Sequence, residues 1–277
     1  MPVPSSAVAD AYARLTKAFP GLAVTETGPG ESVPDGGDWT SAASLAAGGS
    51  GLDAFLAWDD AQVLRDYGTH ARPDVVASFG LHRYAWPACL LFTVPWFLHR
   101  RVPRLPVTHV SYDRAAGRMA VRPAAFACLP GDPVAALPGA RVVHDEEALR
   151  AELRSAVAEH LEPVLAGFGP RMRRRGRALW GMATDEVVEG LWYVAHLLGE
   201  QERAVRELEM LLPGATRPYV GSAAFRELTG PDGESLPTRD RASCCMFYTV
   251  RPEDLCVTCP RTRDADRIAK LTASAMG

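Results

Sequence analysis

The sequence lacks the patterns that assign a chain to several common classes of protein. Its N-terminus has no basic start followed by an apolar run, so no signal peptide is expected and the cytoplasm is the expected location. It has no glycine-rich dinucleotide fingerprint, no Walker loop and no closely spaced pair of histidines. No triad-like nucleophile stands out. These absences argue against nucleotide-dependent chemistry, covalent catalysis and a histidine-based metal site.

The sequence also lacks an uninterrupted apolar run of membrane-spanning length. The most apolar stretch, residues 75–98, contains His82, Arg83, Pro87 and Pro95. A charge in the middle of a span is costly in lipid, so no transmembrane segment is expected. We predict a buried pair of helices that is broken at proline.

An excess of charge of either sign is absent. Thirty Lys and Arg residues stand against 33 Asp and Glu residues, which gives a net charge of −3. This balance predicts no binding to nucleic acid and no attraction to an anionic membrane. Hydrophobic residues make up 47% of the chain, which is enough for a full core.

The periodicity of the apolar residues predicts an α+β protein with a mostly helical body and a small antiparallel sheet. Short β-rich runs at 107–112 and 118–122 predict a hairpin, and 124–129 and 140–144 add strands. Glycine- and proline-rich stretches predict loops at 28–51 and 213–240. Helices are predicted at residues 53–66, from 145 to a stop at 167–170, at 177–198, at 201–212 and at 265–275.

Six cysteines are present, and they divide into two kinds. Cys89 and Cys128 stand alone among apolar neighbours, where cysteine usually acts as a small hydrophobic residue. The other four lie within sixteen residues of one another, and core packing does not explain that crowding. A disulfide framework is not expected in a reducing cytoplasm. These four are Cys244, Cys245, Cys256 and Cys259.

The spacing of these four cysteines is an adjacent pair, ten residues, and then a Cys-x-x-Cys turn. Four thiolates within reach of one another select zinc, copper(I) or an iron–sulfur cluster. The Cys-x-x-Cys turn is a common half-site for zinc and for iron–sulfur centres. Adjacent cysteines diverge in extended backbone and fit one tetrahedral ion poorly, whereas a larger two-iron cluster accepts diverging ligands. The pattern favours a 2Fe–2S cluster, with structural zinc as the alternative.

The charge of the C-terminal region is consistent with such a cluster. From residue 239 to the end there are seven basic and five acidic residues, a surplus of two positive charges. An oxidised 2Fe–2S unit with four thiolates carries a formal charge of about −2. The surplus would offset that charge and would ease the addition of an electron.

The cysteine pattern resembles the C-terminal signature of the FhuF-like ferric siderophore reductases, in which four cysteines bind a 2Fe–2S cluster. A second stretch, residues 177–184 (Arg-Ala-Leu-Trp-Gly-Met-Ala-Thr), is similar to that family's Arg-x-Leu-Trp-Gly-Asn-x-Ala segment. Met182 and Thr184 replace the usual Asn and Ala. The resemblance implies a body over residues 1–215 that binds the siderophore. It also implies a short iron–sulfur segment over 216–277 that is packed on this body. The resemblance further implies that the cluster ligands are Cys244, Cys245, Cys256 and Cys259.

The expected function is one-electron reduction of Fe(III) in a siderophore chelate, which releases Fe(II) in the cytoplasm. Ferric siderophores, the hydroxamate type among them, are the expected substrates. A separate ferredoxin or flavin reductase is the expected electron donor. Trp180 and Arg241 are candidates for the surroundings of the cluster. Five arginines form a candidate docking patch for the donor: Arg171, Arg173, Arg174, Arg175 and Arg177.

Two alternatives remain open at the level of sequence. The first is a siderophore-binding or synthetase-like protein whose four cysteines hold structural zinc. The second is a ferredoxin-like electron carrier with no substrate pocket.

Overall fold

The computed structural model describes residues 6–28 and 30–275. The described part is mostly helical, as predicted. Its α-helices are α1 (Ala9–Ala18), α2 (Ala42–Ala47), α3 (Ser50–Tyr67), α4 (Pro73–His99), α5 (Glu146–Met172), α6 (Gly176–Leu197), α7 (Gln201–Leu211) and α8 (Asp264–Ala275). Three short 3₁₀ turns lie at Val107–His109, Pro133–Ala136 and Phe247–Thr249.

Helix α4 forms the centre of the core, and the predicted break at proline is wrong. The helix runs without interruption through Pro87 and Pro95 and packs against α5 and α6. Pro95 has no N–H to donate to the carbonyl of Leu91, four residues earlier. The hydroxyl of Tyr12 on α1 donates to that carbonyl instead, at 3.0 Å. Tertiary packing therefore replaces the hydrogen bond that proline removes.

Helix α5 also continues past its predicted stop at 167–170 and ends at Met172. Gly167 allows close packing between helices and does not end α5. A Cβ atom at this position would lie 2.4 Å from the carbonyl oxygen of Leu45 and 2.9 Å from that of Ala46. The absence of a side chain lets α2 approach the backbone of α5 closely.

Three small sheets surround the helices. The strands are β1 (Ala23–Glu26), β2 (Trp39–Ser41), β3 (Arg101–Arg104), β4 (Val110–Asp113), β5 (Arg118–Val121), β6 (Ala125–Cys128), β7 (Ala140–Val142), β8 (Phe225–Thr229) and β9 (Ser235–Arg239). The strand orders are β1-β5-β4-β2, β3-β6-β7 and β8-β9. Strands β4 and β5 form the predicted hairpin. The pairing is mostly antiparallel, but β1–β5 and β6–β7 are parallel.

Two stretches predicted as loops contain regular structure. Residues 28–51 include β2 and α2, and residues 213–240 include the hairpin of β8 and β9. The hairpin turns at residues 230–233, as the Gly-Pro-Asp-Gly sequence favours. Its strands mix polar and apolar side chains, so the sequence shows no strong alternation there. This hairpin places Arg239 at the entrance to the cysteine segment.

Among the residues that the structure describes, no helix has both the length and the apolarity needed to span a membrane.

Candidate metal centre

The four clustered cysteines lie on the irregular segment between β9 and α8. Cys259 is buried, Cys244 and Cys245 are half-buried, and Cys256 is exposed. The Cys-x-x-Cys part forms a tight turn in which the N–H of Cys259 donates to the carbonyl of Cys256. The hydroxyl of Thr262 donates to the same carbonyl at 2.9 Å. The turn is thereby fixed from both sides.

Electrostatic coupling links the cysteines into one group. Burial raises the pKa of the Cys245 thiol, and Cys244 and Cys259 raise it further. Partial desolvation raises the pKa of the Cys256 thiol, and Cys259 and Cys245 add to this effect. Thiols from the two halves of the motif therefore act on one another electrostatically.

Backbone N–H groups point at the first pair of sulfurs. The N–H of Met246 donates to Sγ of Cys244 at 3.4 Å. The N–H of Phe247 lowers the pKa of the Cys245 thiol. Met246 adopts φ = 66°, a left-handed conformation that turns the chain back at this point. Amide donors to sulfur stabilise thiolates, which are the form that ligates metals.

Asp185 on α6 fixes the chain directly before the first cysteine. Its carboxylate is fully buried and accepts from the N–H of Ala242 and the N–H of Ser243, both at 2.9 Å. The Ser243 hydroxyl donates to it at 3.1 Å. Arg239, also fully buried, donates to the same carboxylate at 2.9 Å. Gly181, one turn earlier on α6, leaves room for Ser243 to pack against the helix.

Glu189, one turn further along α6, fixes the second half of the motif. Its carboxylate accepts from the hydroxyl of Thr258 at 2.7 Å and from Arg239 at 3.0 Å. Thr258 lies between Cys256 and Cys259. Burial alone would raise the pKa of Glu189, but the nearby guanidinium groups and Thr258 outweigh it and hold the pKa low. Glu189 is therefore ionised near neutral pH.

Arg241 is a cation with a buried side chain that faces the carboxylates of α6 and acts on two of the cysteines. Its guanidinium lies 3.6 Å from Glu186 and 3.9 Å from Glu189, and it lowers the pKa of the Cys245 and Cys256 thiols. Burial alone would lower its own pKa, but the carboxylates of α6 raise it, so the side chain stays charged. Its Nε and Nη2 atoms are buried and have no hydrogen-bond partner among the described residues. Buried guanidinium donors are normally satisfied.

These observations fit an iron–sulfur cluster. Thiols of both halves of the motif act on one another, an amide N–H donates to Cys244, and the charge of Arg241 lowers the pKa of the Cys245 and Cys256 thiols. Within the described ranges, no group of three or more His, Cys, Asp or Glu side chains is arranged to hold a metal ion. The fit therefore rests on the thiols and the donors around them.

The predicted surplus of positive charge is mostly paired. Arg239 and Arg241 face carboxylates of α6, and Arg267 forms an ion pair with Asp240 at 2.6 Å. The net charge of the C-terminal segment is therefore a poor measure of the charge near the cysteines. Two basic side chains act near the cysteines. The charge of Arg241 lowers the pKa of the Cys245 and Cys256 thiols, and Nη2 of Arg267 donates to the carbonyl of Cys259 at 3.0 Å.

Three carboxylates of α6 were not predicted from the sequence: Asp185, Glu186 and Glu189. The histidine that faces Glu186 was not predicted either. Nδ1 of His82 on α4 lies 2.7 Å from the carboxylate of Glu186, which is 1% exposed. A signal was available, because acidic residues at positions 185, 186 and 189 interrupt an otherwise apolar helix. Carboxylates are rarely fully buried unless they are paired.

An open cleft of about 830 Å³, the aromatic cleft, borders α6 near Glu189. Phe19, Trp86 and Tyr193 meet edge to face with centroid distances of 5.5–5.8 Å. Glu189 and His82 also line this cleft, so it adjoins the cysteine segment. Its other lining residues are Trp192, His196, Gln201, Ser235, Leu236, Pro237 and Leu271.

The remaining candidates lie in different places. Trp180 packs edge to face on Tyr219 at 5.5 Å. It also lines a groove beside the arginine-rich turn between α5 and α6, residues 173–175. Met182, in place of the usual Asn, is fully buried, with its sulfur 3.9 Å from Ser78 and 4.0 Å from Arg174. Cys89 and Cys128 are buried core residues, as expected.

Residues 241–261 match the family model described as the FhuF 2Fe-2S C-terminal domain. The FhuF-like resemblance is confirmed by this match, and the cofactor of the segment is a 2Fe–2S cluster. The match covers the cysteine segment and not the helical body. No curated protein matches the chain.

Proposed function

We propose that this protein is a cytoplasmic 2Fe–2S ferric siderophore reductase that binds its chelate in the aromatic cleft. Cys244, Cys245, Cys256 and Cys259 are the proposed cluster ligands. The cleft is lined by residues of both the proposed body (residues 1–215) and the proposed C-terminal segment (216–277). In this proposal, the body binds the chelate and the segment supplies the electron.

One observation carries the proposal. The carboxylate of Glu189 accepts a hydrogen bond from Thr258, between the last two cysteines, and also lines the cleft. A reductase needs a substrate pocket beside its redox centre, whereas an electron carrier does not. A cleft of about 830 Å³ lies in the size range of small-molecule sites.

Little other chemistry is needed from the protein. Hard oxygen donors hold Fe(III) tightly and hold Fe(II) much more weakly, so one electron is enough to loosen the chelate. When bound, the cluster supplies that electron at low potential. Arg241 keeps a positive charge beside the cysteines, and Asp185 and Glu189 hold both halves of the cysteine segment on α6. The cleft residues bind and orient the chelate.

The charge of the cleft favours chelates that carry no net negative charge. Lys and Arg are absent from the residues described as lining it, and Glu189 contributes a carboxylate. Three hydroxamates neutralise Fe(III), whereas three catecholates leave the chelate strongly anionic. Apolar and aromatic walls suit the uncharged complex, because burying an unpaired charge costs free energy. A ferric hydroxamate is therefore the proposed substrate.

The test is a single-turnover reaction. The protein is reduced anaerobically, freed of excess dithionite and mixed with increasing concentrations of a ferric trihydroxamate. We expect the oxidised visible spectrum to return at a rate that saturates with chelate concentration, with one Fe(II) trapped per electron. The gallium(III) chelate, which cannot be reduced, is the matched control. A rate that rises linearly without saturation would indicate a carrier that reacts by collision, and no reaction would exclude a reductase.

A further inference from the structure

A dense group of exposed arginines lies where α5 ends and α6 begins. Arg173, Arg175 and Arg177 are exposed, and none of them forms an ion pair with a carboxylate among the residues that the structure describes. Arg171 differs, because it pairs with Asp53 at 2.6 Å. The three exposed guanidinium groups leave a local positive charge on a protein whose net charge is −3.

A groove of about 550 Å³ runs beside these arginines. Leu165, Leu179 and Trp180 are among its apolar lining residues, and Arg173, Arg174 and Arg175 also line it. Glu162 is the acidic residue among those described as lining it. Apolar side chains flanked by polar and charged ones are the usual composition of a protein interface.

Helix α6 connects this basic end to the cysteine segment. Residues four apart lie on the same face of a helix, so Arg177, Gly181 and Asp185 form one row. Gly181 packs against Ser243, and Asp185 accepts from its N–H. This row of residues therefore begins at the exposed Arg177. Arg177 lies roughly 6 Å along the helix axis from Gly181, the first residue of the row that contacts the cysteine segment.

The same row continues to the aromatic cleft at the other end of α6. Glu189 follows Asp185 by four residues, and Trp192 and Tyr193 come one turn later. From Arg177 to Trp192 the helix rises roughly 22 Å. The cysteine segment contacts α6 between these two ends, from Gly181 to Glu189.

We propose that a small acidic one-electron carrier protein docks on the arginine-rich end of α6 while the chelate occupies the cleft at the other end. This inference rests on the proposed function. The carrier loses one electron and this protein gains it, and the electron then reduces Fe(III) in the chelate to Fe(II). Weak redox encounters depend on complementary charge more than on buried area, which is what this surface offers.

The test uses a variant that reverses the charge without weakening the helix. Arg175→Glu combined with Arg177→Glu places acidic residues at the start of α6, where the helix dipole favours them. The matched control is Arg141→Glu combined with Arg206→Glu. Both control arginines are exposed, at 66% and 67%, and both lie outside the arginine-rich end.

Binding is measured between the oxidised protein and an oxidised plant-type 2Fe–2S ferredoxin, which serves as the acidic probe. We expect the Kd to rise about tenfold at low ionic strength in the Arg175/Arg177 variant and to stay unchanged in the control. The difference should shrink as salt increases, because exposed charges are screened beyond about 10 Å at 0.1 M. Equal affinity in both variants would overturn the proposed docking surface.

Two further readouts separate this inference from the proposed function. Single-turnover reduction of a ferric trihydroxamate, after reduction by dithionite, should be unchanged in the Arg175/Arg177 variant. A saturating gallium(III) trihydroxamate should leave ferredoxin binding within about twofold of its value without chelate. Competition between the gallium chelate and ferredoxin would place both on one surface and would overturn the two-site arrangement. Failure of the single-turnover reaction in the wild-type protein would contradict the proposed function instead.

Discussion

The carboxylate of Asp185 accepts the N–H of Ser243 at 2.9 Å, immediately before the adjacent cysteine pair. These two residues are 58 positions apart in the sequence, and both are buried. The contact fixes where the first two cysteines leave the helical body. The same carboxylate also neutralises the buried Arg239.

Replacing Asp185 with Asn should therefore damage both stability and cluster loading. The variant keeps the shape of the side chain but leaves Arg239 without its nearest negative charge. Because Glu189 still pairs with Arg239 at 3.0 Å, the loss of stability should lie below the about 3–5 kcal/mol of a buried charge that loses its sole partner. Iron content and a denaturant unfolding curve measure the two effects. Asp232→Asn, in the exposed turn between β8 and β9, is the control, and equal iron content in the two variants would contradict the role of Asp185.

Arg241 should raise the reduction potential of the protein. Its positive charge lowers the pKa of the Cys245 and Cys256 thiols. Arg241→Gln removes the charge, so the midpoint potential should become more negative in a redox titration followed by visible absorbance. Arg241→Lys, which retains a charge, should lie between the two. An unchanged potential in an Arg241→Gln protein with normal iron content would show that this side chain does not act on the cluster.

Tyr193 should contribute to chelate binding through its ring. It is 44% exposed and packs edge to face on Phe19 and Trp86, so its removal should spare the core. An aromatic contact contributes about 0.5–1.5 kcal/mol beyond area burial. We expect Tyr193→Ala to raise the half-saturating chelate concentration by about three- to tenfold in the single-turnover assay. Leu197→Ala, at a comparably exposed position on the same helix, is the control. Identical saturation curves for the two variants would remove Tyr193 from the site.

His160 should make the fold sensitive to acid. It is fully buried, with Nδ1 2.7 Å from the carbonyl of Leu105 and Nε2 2.8 Å from the hydroxyl of Tyr84. Burial lowers the pKa of His160 to about 4. The unfolded chain takes up a proton near pH 6.5 that the folded chain does not accept, so stability falls as the pH drops from about 6.5 to 4. The loss is on the order of 3 kcal/mol.

The variant His160→Gln tests this pH dependence, because glutamine keeps one donor and one acceptor and does not titrate. The free energy of unfolding is measured in urea between pH 7 and pH 4.5. The slope with pH should flatten in His160→Gln and stay as in the wild type in His144→Gln, which alters an exposed histidine. Parallel slopes in all three proteins would contradict the assignment to His160.

Local patterns in the sequence were enough for part of the fold and of the site. Helix α6 was predicted within one residue at each end because its apolar spacing is regular. The four cysteines were recognised because their spacing is itself the signal. The continuity of α4 was not predictable, because the partner of the carbonyl freed by Pro95 is Tyr12, on another helix. The role of Asp185 was likewise hidden, because a carboxylate in a helix does not reveal a partner 58 residues away.

Only some of the residues that line the aromatic cleft could be placed from the sequence. Trp192 and Tyr193 can be assigned to a helix from sequence. Tyr193 packs on Phe19, which directly follows α1, and on Trp86, which lies on α4. Such a site is assembled by packing between distant elements, and no short motif encodes it. The arginine-rich turn was visible in the sequence, whereas its alignment with the cysteine segment depends on the rotation of α6.

Iron and acid-labile sulfide analysis of the anaerobically purified protein tests the central claim most directly, when it is repeated on four single cysteine variants. The wild type should contain two irons and two sulfides per chain, with visible charge-transfer absorbance. Serine at position 244, 245, 256 or 259 should abolish or strongly reduce both, while Cys89→Ala should not. A colourless wild-type protein with one zinc per chain, or a Cys245→Ser protein with normal iron and spectrum, would contradict the account.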